Sequence, residues 1–249
     1  MGRLFTKANS EYFEFDSAPV TDFPFTFSCW FKATTSTANM QLMAIADKDA
    51  PNYWNRLFTT TANNIRCQTR AGGPNQHGTT SNTFSDGAWH HALGVWPDYA
   101  SRTAVLDGDY GSAGTNSITM AIDNMDRVSL GRLGDSSPAA YYDGAMAEVA
   151  IYNAALDQAH GEMLAKGISP LLVKPENLTL YMPLNMPAGD EFDYVGLMTL
   201  TDYNSVTETD HPRVYNPMSA MTVVPSATTT ASLIGGKLIG GGILSGRLM

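Results

Sequence analysis

The stretch that decides the fold is residues 142–156, YDGAMAEVAIYNAAL, where an apolar run follows a glycine. Its central part, 144–152, has the length and composition of a β-strand. A turn dipeptide lies at its start, and Asn153 follows it. Residues 153–166 are good helix formers that stop before Gly167, and Asp157 is the most plausible N-cap. We therefore predict a strand followed by one helix of two to three turns.

Upstream of this stretch, short β-rich runs alternate with clusters of turn residues. The clearest run is 25–32, in which Phe25, Phe27, Cys29 and Phe31 share one face. Further strands are predicted at 41–46, 56–60, 65–69, 89–96, 102–106 and 127–130. Asn63-Asn64 and Asp107-Gly108 supply residues that tolerate the left-handed backbone of tight turns. Many short strands separated by turns indicate a β-sandwich or barrel.

Four of these stretches resemble motifs of one family in both order and spacing. They are FTFSCWFK (25–32), SDGAWHHAL (85–93), VSLGR (128–132) and the stretch at 142–156. Together they resemble the laminin-G-like, concanavalin A-like jelly-roll family over roughly residues 10–165. The resemblance implies an all-β fold, an antiparallel two-sheet jelly-roll sandwich. It implies no chemistry, because this sandwich serves lectins, glycosidases, adhesion modules and structural domains.

Beyond residue 169 the composition changes. Prolines punctuate the chain, and only 178–182 and 197–201 are typical of strands. Residues 178–185, 193–196 and 210–212 resemble segments of laminin-G-like proteins from tailed bacteriophages. We expect a jelly roll at 1–169, a Pro-rich segment at 170–217 with strands that complete or flank it, and a Gly-rich apolar docking tail at 218–249.

The tail combines aliphatic residues with glycines. Apolar positions recur at intervals of five residues: Leu233, Ile234, Leu238, Ile239, Ile243, Leu244 and Leu248. The segment is too apolar to stay solvated and too rich in glycine to fold alone, which favours docking on a partner or a second copy of the chain. The alternative is a disordered terminus.

The charge balance excludes some partners. The chain has 249 residues, with 15 Lys and Arg against 24 Asp and Glu, a net charge of −9. Nucleic-acid binding needs clustered basic side chains, so we expect no nucleic-acid partner. No uncharged run of 18 apolar residues occurs, so we expect no membrane span. The first residues lack the apolar region of a signal peptide, so we expect no secretory leader.

Five aromatic residues are candidates for stacking against sugar rings. Trp30 and Trp96 are predicted on sheet faces, and Tyr53, Trp54 and Tyr99 in loops. The alternative is that these rings pack in the core or at a subunit interface.

Four carboxylates are candidates for a calcium site. Asp47 and Asp49, with Asp107 and Asp109, offer the oxygen ligands that Ca²⁺ prefers. Ordinary turn roles are the alternative, and no other cofactor is expected.

Catalysis is not expected. Glycosidases with this jelly roll carry E-x-D-x-E on one strand, whereas Glu191-Phe192-Asp193 lacks the third carboxylate. His90 and His91 are adjacent on a predicted strand and point to opposite faces, so they do not form one metal or general-base site. The family resemblance implies that they are framework residues. Cys29 and Cys67 are expected to be buried thiols, with a disulfide as the alternative.

These observations predict a non-enzymatic bacteriophage virion structural protein, of the capsid-decoration or head-fibre type, anchored through its tail. The alternatives are a tail or receptor-binding component and a carbohydrate-binding adhesin. The expected partners are other virion proteins, further copies of the chain in a homo-oligomer, and glycans. Synthesis is expected in the host cytoplasm, followed by incorporation into the virion.

Overall fold

The computed structural model describes residues 1–33, 38–110 and 124–215, together with the backbone of 113–115, 233–234 and 237–238. The chain divides into two units, Met1–Asn216 and Pro217–Met249. In the first unit the strands are, in chain order, β1 (Gly2–Phe5), β2 (Tyr12–Phe15), β3 (Phe25–Lys32), β4 (Met40–Ala46), β5 (Tyr53–Thr59), β6 (Ile65–Ala71), β7 (Gln76–Thr79), β8 (Trp89–Trp96), β9 (Ser101–Leu106), β10 (Ala113–Thr115), β11 (Arg127–Leu130), β12 (Gly144–Tyr152), β13 (Leu178–Met182), β14 (Glu191–Phe192), β15 (Thr199–Tyr203) and β16 (Thr207–Thr209). One α-helix, α1 (Gln158–Ala165), follows β12.

The strands form two eight-stranded sheets whose neighbouring strands are all antiparallel. Sheet A has the order β10-β9-β8-β3-β12-β1-β16, and β13 also pairs with β12. Sheet B has the order β14-β15-β2-β11-β4-β5-β6-β7. The predicted all-β sandwich with one short helix is therefore confirmed.

The core lies between the sheets. Phe25, Phe27, Cys29 and Phe31 of β3 are buried there, as their alternation predicts. The opposite side of β3 is also buried near its start, because the chain around α1 covers the outer face of sheet A. Thr26 donates its hydroxyl to the carbonyl of Ala154 (2.7 Å) and accepts from the amide of Leu156 (3.0 Å).

Helix α1 begins and ends where the sequence predicts. The Asp157 carboxylate caps the first turn by accepting the amide N–H of His160 at 3.0 Å. Gly167 has φ +82°, the left-handed conformation that commonly ends a helix.

Two predicted strand boundaries are wrong. Strand β5 begins at Tyr53, so Tyr53 and Trp54 lie in the sheet and not in a loop. Strand β15 begins at Thr199, because Leu197 has φ +60° and belongs to the preceding turn.

Residues 178–209 supply strands to both sheets, and their connections bury a charged side chain of β1. Arg3 is fully buried, with its guanidinium donating to the carbonyls of Met186 (2.7 Å) and Gly189 (2.8 Å). Carboxylates of Asp202 (3.2 Å) and Glu191 (3.5 Å) balance its charge. The N-terminal strand is thus fixed by residues almost 200 positions later.

Residues 210–215 cross the outer face of sheet A. Asp210 accepts hydrogen bonds from Lys32 Nζ (3.0 Å) and Trp89 Nε1 (3.2 Å). His211 Nε2 lies 3.2 Å from Glu148 Oε1 on β12. This crossing covers part of the face that α1 leaves open.

In the second unit, β17 (Leu233–Ile234) pairs antiparallel with β18 (Lys237–Leu238). The predicted docking residues Ile239, Ile243, Leu244 and Leu248 lie outside the described residues. None of the helices in the described part of the chain has the length and apolar character to cross a bilayer.

Candidate functional site

A row of arginines and aromatic rings runs along the outer face of sheet B. Trp54, Arg56 and Phe58 alternate along β5, and the register places Arg70 of β6 opposite Trp54 and Arg66 opposite Phe58. Because alternate strand residues share a face, these five side chains lie on the same side of the sheet. We call them the arginine ladder.

The ladder is held together by contacts between guanidinium groups and rings. The Cζ atom of Arg56 lies 4.1 Å from the Phe58 ring centroid and 5.2 Å from that of Trp54. Arg66 Cζ is 5.9 Å from Phe58, and Arg70 Cζ is 5.3 Å from Trp54. Each ring therefore contacts two cations, an attraction of the cation–π type. Both rings are nearly fully buried, so the partly exposed arginines form the surface.

One nitrogen of each ladder arginine is bonded to the protein. Arg56 Nε donates to Gln68 Oε1 (2.8 Å), Arg66 Nε to Thr79 Oγ1 (2.8 Å) and Arg70 Nε to the Gly73 carbonyl (3.0 Å). Within the described residues, the Nη atoms of these arginines make neither a hydrogen bond nor an ion pair, and each of the three side chains is partly exposed. Each guanidinium group is therefore held in place through its Nε atom, while its two Nη groups donate no hydrogen bond to the described residues.

The arginine ladder carries a concentration of positive charge. Burial and the neighbouring charges of Arg66 and Arg70 lower the pKa of Arg56 to about 10, and Asp135 opposes this effect. Asp135 is itself buried and accepts the amides of Asn52 (2.9 Å) and Ser137 (3.0 Å). Desolvation and the charge of Arg66 also lower the pKa of His77, which lies opposite Gln68 on β7.

The arginine ladder has two different borders. On the β4 side, Leu133 packs with Ala44, Ala46 and Trp54 and closes the surface. On the other side lies β7, the edge strand of sheet B, where His77 is exposed. Among the described residues, the ladder thus lies between a closed border at β4 and the edge strand of the sheet.

The five predicted stacking residues do not form one surface. Only Trp54 belongs to the ladder. Trp30 lies on the outer face of sheet A, 5.6 Å from the His91 ring. Tyr53 packs against the core, and Tyr99 is 52% exposed in the turn between β8 and β9.

The prediction for Trp96 needs correction, because its ring is fully buried between the sheets. The centroid of the indole lies 4.8 Å from those of both Phe25 and Phe27. Its Nε1 donates to Thr69 Oγ1 at 2.9 Å. Trp96 is a core residue and is not available to a sugar.

The four predicted calcium ligands are engaged in turns of two different sheets. Asp47 accepts the amides of Asp49 (2.9 Å) and Ala50 (3.0 Å), and the Asp49 carboxylate binds Lys48 Nζ (2.6 Å). Asp107 binds both the His91 amide and the His90 ring, whereas Asp109 lies 3.4 Å from Asn82 Nδ2. In the part of the chain that the structure describes, no three His, Cys, Asp or Glu side chains are grouped to hold a metal ion.

The other residues considered in the sequence analysis have contacts typical of structural residues. Glu191 is buried against Arg3, and Asp193 accepts the amides of Tyr181, Val195 and Gly196 in a turn. Cys29 and Cys67 are both free thiols in the core, and burial raises their pKa values.

Sequence reasoning missed the ladder arginines. The signal was present in the predicted strands 56–60 and 65–69 and in the Asn63-Asn64 turn between them. Antiparallel pairing across that turn brings Arg56 near Arg66 and Arg70, and alternation places all three on one face.

Comparison with known proteins identifies one family. Residues 7–160 match the profile of the Concanavalin A-like lectin/glucanases superfamily. No curated protein matches the chain in sequence.

Solved structures with the same fold are distant in sequence. A candidate carbohydrate-binding protein from Bacteroides ovatus has 16% identity and a TM-score of 0.63, over 86% of this chain and 61% of that one. The CBM40 module of the Ruminococcus gnavus IT-sialidase, bound to alpha2,3 sialyllactose, has 12% identity and a TM-score of 0.56, over 66% and 96% of the two chains. The heptameric SAP-like pentraxin of Limulus polyphemus has 10% identity and a TM-score of 0.52, over 66% and 81%. These likenesses show a shared fold.

Proposed function

Since the chain belongs to the Concanavalin A-like lectin/glucanases superfamily, we propose that it is a non-enzymatic carbohydrate-binding protein. The glycan lies on the outer face of sheet B, over β5, β6 and β7.

The observation that carries this proposal is the difference between the two outer faces. On sheet A, the chain around α1 and the crossing at 210–215 cover much of the outer face. On sheet B, β5 and β6 present oriented guanidinium groups with unused donors. Sugar hydroxyls and ring substituents are hydrogen-bond acceptors, so an open strip of fixed donors suits them.

The relatives support this assignment through their fold. The Ruminococcus gnavus module was solved with a sialylated trisaccharide, and carbohydrate binding is also ascribed to the Bacteroides ovatus protein. The chain spans 61% of the latter, so the activity of the whole relative is not transferred.

A binding role without catalysis is favoured by the surroundings of two carboxylates, Asp135 beside the arginine ladder and Glu191 at the opposite edge of sheet B. Glycoside hydrolysis needs two carboxyl groups that converge on one bond. Asp135, the acid that acts on Arg56, is committed to backbone amides, and Glu191 is committed to Arg3.

A glycan array probed with the full chain tests the proposal. We expect binding to at least one glycan class, and Arg70→Ala should weaken it about tenfold or more, as expected for a lost charged hydrogen bond. Lys166→Ala, at the C-cap of α1, is the matched control and should bind like the wild type. An array without any bound glycan would contradict the proposal.

We propose, as a second candidate role, that the chain is a virion structural protein of the capsid-decoration or head-fibre type. Two observations favour it: the phage-like segments within 178–212, and a separate C-terminal unit rich in aliphatic pairs. In this role the tail anchors the chain to other virion proteins, and glycan binding serves attachment. A tail or receptor-binding component is the variant of this role, and a homo-oligomer is its expected form.

Mass spectrometry of washed particles tests the virion role. The chain should be retained in purified virions, and its absence would refute the role. Truncation before Met218 should leave a folded protein that no longer assembles, whereas normal incorporation would refute anchoring by the tail.

A further inference from the structure

The ladder arginines lack ion-paired carboxylates, a property that they share with Arg102 and Arg213 among the described residues, but they are three such cations side by side. Arg3, Arg127 and Arg132 each pair with one or more carboxylates. Within the described residues, Arg56, Arg66 and Arg70 have no such ion pair. Acids outnumber basic residues 24 to 15 in the sequence, so neutralising carboxylates are not scarce. Three neighbouring cations, with Asp135 as a nearby carboxylate that forms no ion pair with them, therefore need an explanation.

Their arrangement has an electrostatic cost. Cations on one face of a two-stranded segment repel one another, and partial burial removes some of the water that would screen them. The lowered pKa of Arg56 reflects its burial and the charges of Arg66 and Arg70. A bound anion would relieve this repulsion and would use the free Nη donors at the same time.

The rings of the ladder point to the same kind of ligand. Trp54 and Phe58 are only 5% and 1% exposed because guanidinium groups contact them. The strip therefore does not offer a bare aromatic platform for stacking. Its surface offers planar, forked donors, which match carboxylate and sulfate oxygens.

We propose that the arginine ladder binds the anionic group of an acidic glycan, a carboxylate or a sulfate ester carried on a sugar ring. This inference rests on the glycan binding proposed above and names its substrate class. Arg66 and Arg70 are four residues apart on β6, about 13 Å along the strand. One anionic group contacts Arg56 and one of its two neighbours, and the remaining sugar residues follow the strip.

Isothermal titration of the full chain tests the proposal with matched probes. The acidic probes are a sialylated trisaccharide, a uronic-acid oligosaccharide and a sulfated oligosaccharide. Their neutral counterparts are lactose, the carboxyl-reduced oligosaccharide and the desulfated oligosaccharide. We expect at least one acidic probe to bind about tenfold or more tightly than its neutral counterpart, and which probe does so distinguishes carboxylate from sulfate.

Arg66→Gln and Arg70→Gln should reduce binding of the acidic probe by about ten- to a hundredfold, and should reduce binding of its neutral counterpart by a smaller factor. Both side chains are partly exposed, and unchanged thermal unfolding establishes that the variants fold. Arg70→Lys keeps the charge but loses the fork, so it should restore binding only in part. Lys166→Gln serves as the control.

Four outcomes would overturn the inference. Equal binding of acidic and neutral probes refutes it but leaves glycan binding intact. Binding of no glycan refutes both proposals. Acidic binding that survives both Gln substitutions places the anion site elsewhere. Equal binding of a double-stranded oligonucleotide at the same salt concentration shows a general polyanion surface without sugar recognition.

Discussion

His90 and His91 are consecutive on β8, yet their rings occupy opposite electrostatic environments. His90 lies between two carboxylates, with Nδ1 2.7 Å from Asp107 and Nε2 2.9 Å from Asp86. His91 is buried on the other face, with Nε2 2.9 Å from the hydroxyl of Ser28. The strand alternation that separates them also gives them opposite pKa shifts.

Protonated His90 should stabilise the fold. Hydrogen bonds to Asp107 and Asp86 raise its pKa from 6.5 to about 9. A pKa raised in the folded state means that the stabilisation is complete below pH 6.5 and is lost as the pH rises to 9. We expect the free energy of unfolding to fall by about 1–2 kcal/mol over this range, allowing for screening by solvent.

Urea unfolding at several pH values measures this effect. His90→Gln should have a flatter profile between pH 6.5 and 9 than the wild type. Parallel profiles for wild type and His90→Gln would contradict the prediction.

His91 should remain neutral well into the acidic range. Burial lowers its pKa to about 4. Because the folded pKa is below the unfolded one, stability should be lost as the pH falls from 6.5 toward 4. NMR titration of the imidazole signals measures the midpoint directly, and a midpoint near 6.5 would be inconsistent with the buried position.

Trp96→Ala should destabilise the sandwich strongly. The indole is fully buried against Phe25 and Phe27, so removing it should cost about 3–5 kcal/mol. Tyr99→Ala, three residues later, removes a largely exposed ring and should change stability by less than about 0.5 kcal/mol. Equal unfolding midpoints in urea for the two variants would contradict this assignment.

Gly131→Ala tests why glycine stands in the VSLGR stretch. Gly131 has φ +81°, and a Cβ there would lie 2.6 Å from Cδ1 of buried Phe5. Backbone strain and overpacking together should cost about 2–4 kcal/mol. Gly73→Ala is the control, since φ is not positive there and its Cβ would meet nothing closer than 3.9 Å. A Gly131→Ala protein as stable as the control would refute this explanation.

Local sequence patterns predicted the helix and the strands more accurately than the residues of the candidate binding site. Asp157 and Gly167 mark the ends of α1 by backbone chemistry that needs only a few neighbouring residues. Trp96 was wrongly placed among the stacking residues. The alternation of side chains separates the two faces of a strand, but it does not show which face packs into the core. The cluster of Arg56, Arg66 and Arg70 depends on the register of two strands, and only the pairing across the β5–β6 turn fixes that register.

The burial of Arg3 has a consequence for the order of folding during synthesis. Strand β1 is translated before its partners β12 and β16, and its arginine is neutralised by Glu191 and Asp202, which also come later. Until residue 209 has left the ribosome, this cation lacks its acceptors and sheet A lacks its last strand. Such long-range pairing is slow, so the nascent chain must hold an incomplete sandwich with exposed strand edges between the synthesis of β1 and that of β16. Chaperone binding during synthesis is therefore expected to concentrate on chains that have not yet reached β16.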